Sequence, residues 1–233
     1  MRSILVLNPK GGCGKSTLVT TLAGYYAERG KSVVLADFDP QGSSMDWVAV
    51  RPADHPPIRA VAAWEEPLRV PKDTDYVIID SPAAIHDHRV LGDLLRRAQS
   101  VIIPVLPSPI DMRHAARFVA EMMELRRVVN QEVKLCTVAN RVRDHTLAAV
   151  SLSAYLESLK LPDGHKLPFL TVLRASQNYV RRRARVEHLR IRALRDPAGP
   201  RAVGTGAALA QQYEEPAVIT RGGARNYKKI PSR

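Results

Sequence analysis

Three glycines, two lysines and two hydroxyls share the eight residues Lys10-Gly11-Gly12-Cys13-Gly14-Lys15-Ser16-Thr17. Glycines so placed let the backbone bend tightly and turn successive N–H groups inward just ahead of a helix, which makes an anion cradle. From that cradle Lys15 reaches the outer phosphates of a nucleotide, and the adjacent Ser16 hydroxyl can ligate Mg²⁺. Carboxylates follow two later apolar runs, in Asp37-Phe38-Asp39-Pro40 and in Asp80-Ser81-Pro82. Together these groups suit phosphoryl transfer, a reaction that asks for positioning and charge stabilisation more than for covalent chemistry.

Such groups converge only if the elements around them do. Residues 3–7 (SILVL) read as a buried strand, residues 17–29 as an apolar-periodic helix closed by Gly30, and residues 33–36 and 76–79 as strands with carboxylates at their C-terminal ends. Further strands are expected at 101–106, 133–139 and 169–173, with helices at 90–98, 111–128 and 147–159. Strands alternating with helices predict an α/β fold, a doubly wound, mostly parallel sheet flanked by helices. Ligands in that architecture bind beyond the C-terminal ends of the strands, where Lys15, Asp37, Asp39 and Asp80 would meet. The Pro-rich residues 51–57 read as a surface loop.

The loop departs from the general pattern G-x-x-x-x-G-K-[ST]: Pro9 replaces the first glycine and a second lysine, Lys10, follows it. In this it resembles the ParA/MinD family of deviant Walker A P-loop ATPases, whose K-G-G-x-G-K-[ST] is matched at every specified position by residues 10–16. Residues 37–42 resemble that family's first switch, residues 77–82 its Walker B strand and second switch, and residues 105–109 and 139–141 later family segments. The resemblance covers residues 1–195 and implies a P-loop NTPase fold and an ATP- and Mg²⁺-dependent homodimer with the nucleotides sandwiched between subunits. By the same resemblance Lys10 reaches the partner's phosphates, and Lys15 with the loop amides from Gly11 to Thr17, Cys13 among them, holds the chain's own. Ser16 and Asp80, the latter through water, hold Mg²⁺; Asp37 supports the metal's shell; Asp39 positions or polarises the attacking water; Asn140 recognises adenine. Hydrolysis is expected to be slow and stimulated by an adaptor protein, ParB-like or other, because no further Arg or Gln stands ready for the transition state.

Charge points to a second ligand. The net charge is +12, of which +7 falls within residues 174–195 and +3 within 196–233. Arg181, Arg182, Arg183, Arg185, Arg190 and Arg192 form a candidate surface for duplex DNA without sequence preference, as in ParA-like relatives. Val186-Glu187-His188 stand where that family usually has small residues. MinD-like relatives end instead in an amphipathic membrane helix. Here residues 226–233 have Ile230 beside Pro231 as their one strong apolar residue, so DNA is favoured over membrane. Residues 196–233, with nine Gly or Pro among 38, read as a flexible basic tail after an ATPase domain at 1–195.

Composition excludes other classes. The 45% hydrophobic and 25% charged residues belong to a globular chain, and two cysteines in unrelated contexts build neither a disulfide scaffold nor a four-thiolate metal site. Cys13 sits in the phosphate loop, which removes a nitrogenase-iron-protein-like cluster, and a tail with only Tyr213 and Tyr227 removes a tyrosine kinase. Residues 1–7 are too short for a signal peptide and no 18-residue apolar run occurs, so a cytoplasmic, nucleoid-associated protein is expected. No operator-reading helix-turn-helix precedes the strand at Ser3, so autorepression is not expected. The cargo, a plasmid or chromosomal locus or a protein body such as a carboxysome, stays open. So do Trp47 and Trp64, as packing residues or partner contacts. His86 and His88 read as a surface pair, and Phe118, Met122, Leu125 and Val129 as a core or interface stripe.

Overall fold

The computed structural model describes residues 1–83, 85, 87–128, 133–161 and 164–175. Within them β1 (Arg2–Val6), β2 (Val33–Asp37), β3 (Arg59–Ala62), β4 (Tyr76–Asp80), β5 (Ser100–Val105), β6 (Lys134–Val142) and β7 (Phe169–Arg174) form one sheet in the order β3-β2-β4-β1-β5-β6-β7. Every pairing in it is parallel. Five helices accompany them: α1 (Lys15–Ala27), α2 (Ser43–Ala49), α3 (His88–Arg97), α4 (Pro109–Val128) and α5 (Leu147–Ser158).

The strands read as unbroken apolar runs because both faces are covered. Leu5, Leu7, Val77, Ile79, Val101 and Ile103 pack with Leu91, Leu94 and Leu95 of α3 and Phe118 and Met122 of α4. On the alternate face Ile102 and Val138 share an apolar cleft with Leu18 and Leu22 of α1. Phe118, Met122 and Leu125 are therefore core; Val129 lies outside the described residues.

Topology puts the chemistry where the loop is. From β1 the chain crosses β4 to reach β2, and from β4 it crosses β1 to reach β5, so the winding reverses beside β1, and ligands bind at such a point. Register then aligns the carboxylates: Val6 pairs with Asp80, and Asp80 with Asp37. Two elements are additional to those expected from the sequence. The seven-residue α2 buries only Ser44, and the four-residue edge strand β3 buries only Val61. The loop at 51–57 is as expected, pinned to α1 by Glu28, which accepts from Arg51 (3.2 Å) and His55 (2.8 Å).

Candidate functional site

The loop after β1 is held from both sides. Asn8 donates its Nδ2 to the Pro104 carbonyl (2.7 Å) and accepts the Lys10 amide on Oδ1 (2.9 Å). Gly12 and Gly14 take φ of 73° and 91°, a region costly for any residue with a Cβ. Gly14 caps α1 without a side chain, which leaves the first-turn amides of Lys15, Ser16 and Thr17 facing outward with the helix dipole behind them. A Cβ at Gly11 or Gly12 would meet nothing within 4 Å, so the loop's outer side is open. Lys15 is buried, its Nζ folded onto the carbonyls of Asn8 (3.1 Å) and Lys10 (3.4 Å) inside the loop.

Gly14 is also a packing requirement. Asn140, from β6, donates its Nδ2 to the Cys13 carbonyl (2.7 Å), and a Cβ at Gly14 would lie 2.4 Å from that nitrogen. Gly14→Ala must push Asn140 off the loop as well as bear the strained φ, so a loss of roughly 2–4 kcal/mol in stability is expected. Nucleotide affinity should fall with it. Calorimetric melting and ATP titration of the variant check this; unchanged values for both would refute the tether. Cys13 itself is buried, and burial raises its thiol pKa, which keeps it protonated and unreactive.

The three carboxylates have three different environments. Asp37 is fully buried and engaged: Oδ1 accepts the Asp39 amide (2.9 Å), and Oδ2 accepts the Ser44 hydroxyl (2.7 Å) and the amides of Ser44 (3.3 Å) and Met45 (3.4 Å). It thereby holds the loop that carries Asp39 and the start of α2. Asp39 is half-buried; one oxygen accepts the Gln41 amide (3.0 Å) and its carbonyl accepts the Gly42 amide (2.9 Å). Asp80 is 1% exposed, and neither of its oxygens has a hydrogen-bond donor. Burial first, then the charge of Asp37, pushes its pKa up to about 7; the Ser16 and Ser44 hydroxyls and Lys15 offset part of the rise without reaching it in hydrogen-bonding geometry.

An unsatisfied buried carboxylate is costly unless a cation completes it. Asp80 with the neighbouring Ser16 hydroxyl fits Mg²⁺, a hard cation that takes oxygen ligands and keeps several waters. The candidate metal residues are thus close together, with Asp37 bound to loop amides and the Asp80 oxygens free of hydrogen bonds.

Lys10 does not enter its own cradle. Its Nζ pairs with Asp111 Oδ1 at 2.7 Å, and Asp111, buried at the start of α4, also takes the Ser108 hydroxyl. Ser108 in turn accepts the Asp111 amide (3.1 Å) on the same hydroxyl, a side-chain cap at the start of α4. The Ser108-x-x-Asp111 spacing signals that cap in the sequence, but nothing local says that Lys10 reaches it. Ser44, also unforeseen, owes its place to Asp37.

Trp64 packs on the Asp39 loop, its ring 3.5 Å from where a Gly42 Cβ would stand, and Trp47 faces the Arg51 guanidinium at 5.3 Å. His88 is exposed, 3.4 Å from Glu121; His86 lies outside the described residues, among which no His, Cys, Asp and Glu cluster for a metal is found. Arg181, Arg182, Arg183, Arg185, Arg190 and Arg192 likewise lie outside the described residues, as does the 195/196 domain boundary. Among the described residues no helix is long and apolar enough to cross a membrane.

Known proteins resemble this chain in sequence and in fold. Maintenance of carboxysome distribution protein A of Halothiobacillus neapolitanus is 30% identical over 166 residues, covering 69% of this chain and 76% of that protein. Chromosome-partitioning ATPase Soj of Thermus thermophilus is 27% identical over 193 residues, covering 68% and 76%. In fold, the chain resembles a Cyanothece McdA variant solved as its ATP complex, with a TM-score of 0.57 at 15% identity over 78% of this chain and 86% of that one. Residues 4–189 match the CobQ/CobB/MinD/ParA nucleotide binding domain, and the chain belongs to that family.

Proposed function

We propose that this chain is a positioning or partition ATPase: Mg-ATP brings two copies together, the dimer binds duplex DNA without sequence preference, and slow hydrolysis stimulated by an adaptor protein releases it. The observation that carries this reading is the division of labour between the two loop lysines. Lys15 fills its own cradle, while the Lys10 ammonium stands outside it on an exchangeable carboxylate. A second cation beside an occupied cradle suits phosphates presented by another subunit. Support for the cargo role comes from relatives whose names give carboxysome distribution and chromosome partitioning.

In this mechanism Lys15, the Gly11–Thr17 amides and the α1 dipole hold the phosphates. Mg²⁺, held by Ser16 and through water by Asp80, would neutralise charge on the outer phosphates. Asp39 orients the attacking water and accepts its proton, on a loop shaped by Asp37 and capped by Trp64. Asn140 sits at the adenine end.

Asp39→Ala should separate the steps, giving an ATP-bound dimer that does not turn over. DNA binding by that trapped dimer tests the whole reading. If the arginines of residues 174–195 neutralise about four to six phosphates, the log affinity should fall against log salt with a slope of roughly −4 to −5 for any duplex sequence. The Arg182→Glu/Arg185→Glu variant should lose it. Binding to anionic vesicles with none to DNA would overturn the DNA reading, and a normal hydrolysis rate in Asp39→Ala would remove Asp39 from the reaction.

A further inference from the structure

The C-terminal end of β6 departs from regular strand pairing. Between Ala139, which pairs with Val172, and Val142, which pairs with Arg174, β6 has one residue more than β7. The excess is taken up at Asn140-Arg141, and Arg141 adopts φ 53°. A bulge with a left-handed non-glycine residue costs about 1 kcal/mol or more, and bulges beside active sites re-aim a side chain. Asn140 helps maintain the turn, since its Oδ1 accepts the Arg141 amide (2.9 Å) while its Nδ2 grips the Cys13 carbonyl (2.7 Å).

The consequence is the position of Arg141. Its Nε lies 3.8 Å from where a Gly14 Cβ would stand, so the guanidinium lies over the phosphate loop, exposed to solvent. Among the described residues no carboxylate pairs with it; Asp144, three residues on, takes Arg174 instead (3.0 Å). A strained, solvent-facing cation with no carboxylate partner among the described residues stands beside the nucleotide cradle.

Resting on the nucleotide reading of this loop, we infer that Arg141 contacts the bound nucleotide by stacking its planar guanidinium on the purine face. Placement favours the base over the phosphates. β6 is the second strand from β1, about 10 Å across the sheet from the strand that ends in the cradle, so Arg141 approaches the loop from its β6 flank, at Gly14, rather than from the open side at Gly11 and Gly12. The phosphates already have Lys15, the loop amides and the α1 N-terminus. A guanidinium stacks on an aromatic face where an ammonium of equal charge does not match its plane. Asn140 is on this account a positioning residue as well as a neighbour of the base: it fixes the loop and the bulge with the same amide.

The test uses the full chain with Arg141→Gly and Arg141→Lys, titrated calorimetrically with Mg-ATP and, as a base-free probe, with Mg-tripolyphosphate. Glycine accepts φ 53° without strain, so the melting temperature of Arg141→Gly should stay within about 3 °C of the parent. Its ATP affinity should drop about three- to tenfold, with tripolyphosphate affinity unchanged, and Arg141→Lys should show the same selective loss. Equal weakening of ATP and tripolyphosphate, rescue by lysine, unchanged ATP affinity, or loss that tracks a lowered melting temperature would each overturn the stacking role. A parent protein that binds no ATP would instead overturn the nucleotide reading itself.

Discussion

Asp80→Asn is expected to stabilise the metal-free, nucleotide-free protein at pH 8 by up to about 4 kcal/mol while cutting Mg²⁺-dependent ATP hydrolysis about 10–100-fold. Both effects come from one geometry, a carboxylate 1% exposed with no donor on either oxygen. Its pKa rises from 3.8 to about 7, chiefly through burial. The folded state thus holds this proton more tightly than the unfolded chain does. Below pH 4 both states are protonated and Asp80 costs nothing; between pH 4 and 7 the unfolded chain ionises first and the folded state loses ground; above 7 the full penalty applies. Denaturant titrations of parent and variant in EDTA at pH 5 and pH 8 measure it. The parent should lose stability over that interval relative to Asp80→Asn, whose amide does not ionise. Identical pH dependence in the two proteins would mean that Asp80 is solvated or paired in solution, and the assignment of Asp80 as a buried cation ligand would fall with it. Turnover moves the other way because a neutral amide holds the waters of Mg²⁺ less tightly than a carboxylate does, so stability and activity trade against each other at one residue.

Lys10→Ala is expected to abolish ATP-driven dimerisation, lowering dimer affinity a hundredfold or more, while ATP binding by each subunit stays within about twofold. A lysine 40% exposed on Asp111 is a pair worth at most about 1 kcal/mol, easily surrendered. A charge-assisted bond to a partner's phosphate, desolvated between subunits, is worth more, and truncating one partner of such a pair costs 2–5 kcal/mol. Lys15→Ala should behave differently, losing nucleotide outright, because its Nζ lies inside the cradle between the Asn8 and Lys10 carbonyls. Sedimentation velocity with Mg-ATP distinguishes them. If Lys10→Ala dimerises as well as the parent, Lys10 belongs to its own subunit and the two-subunit mechanism is wrong.

How much of this was legible in the chain varied with the range of the interaction. The phosphate loop was, because Gly12 and Gly14 must take positive φ and the residues that bend, reach and ligate are neighbours in sequence. The ends of β2 and β4 were also, since a doubly buried strand reads as an apolar run and the Asp that closes it is the first polar residue. The elements β3 and α2 were not: four residues with one buried and seven with one buried are too short for a period to show. The extension of β6 through Asn140 and Arg141 was equally hidden, because its bulge is a matter of pairing with β7.

By itself, then, the sequence determined the fold class, the nucleotide cradle and the identity of the carboxylates around it, all of which follow from local backbone chemistry and hydrophobic periodicity. Only the tertiary structure decided how those carboxylates differ. Asp37 and Asp80 face each other in register at the ends of adjacent strands, yet one is satisfied by loop amides 2 to 8 residues away and the other by nothing. It also decided that Lys10 rests on Asp111 and that Arg141 overhangs Gly14, contacts between residues about a hundred or more positions apart. Composition and spacing hold no record of such contacts, because burial and hydrogen-bond supply are set by which elements the sheet brings side by side.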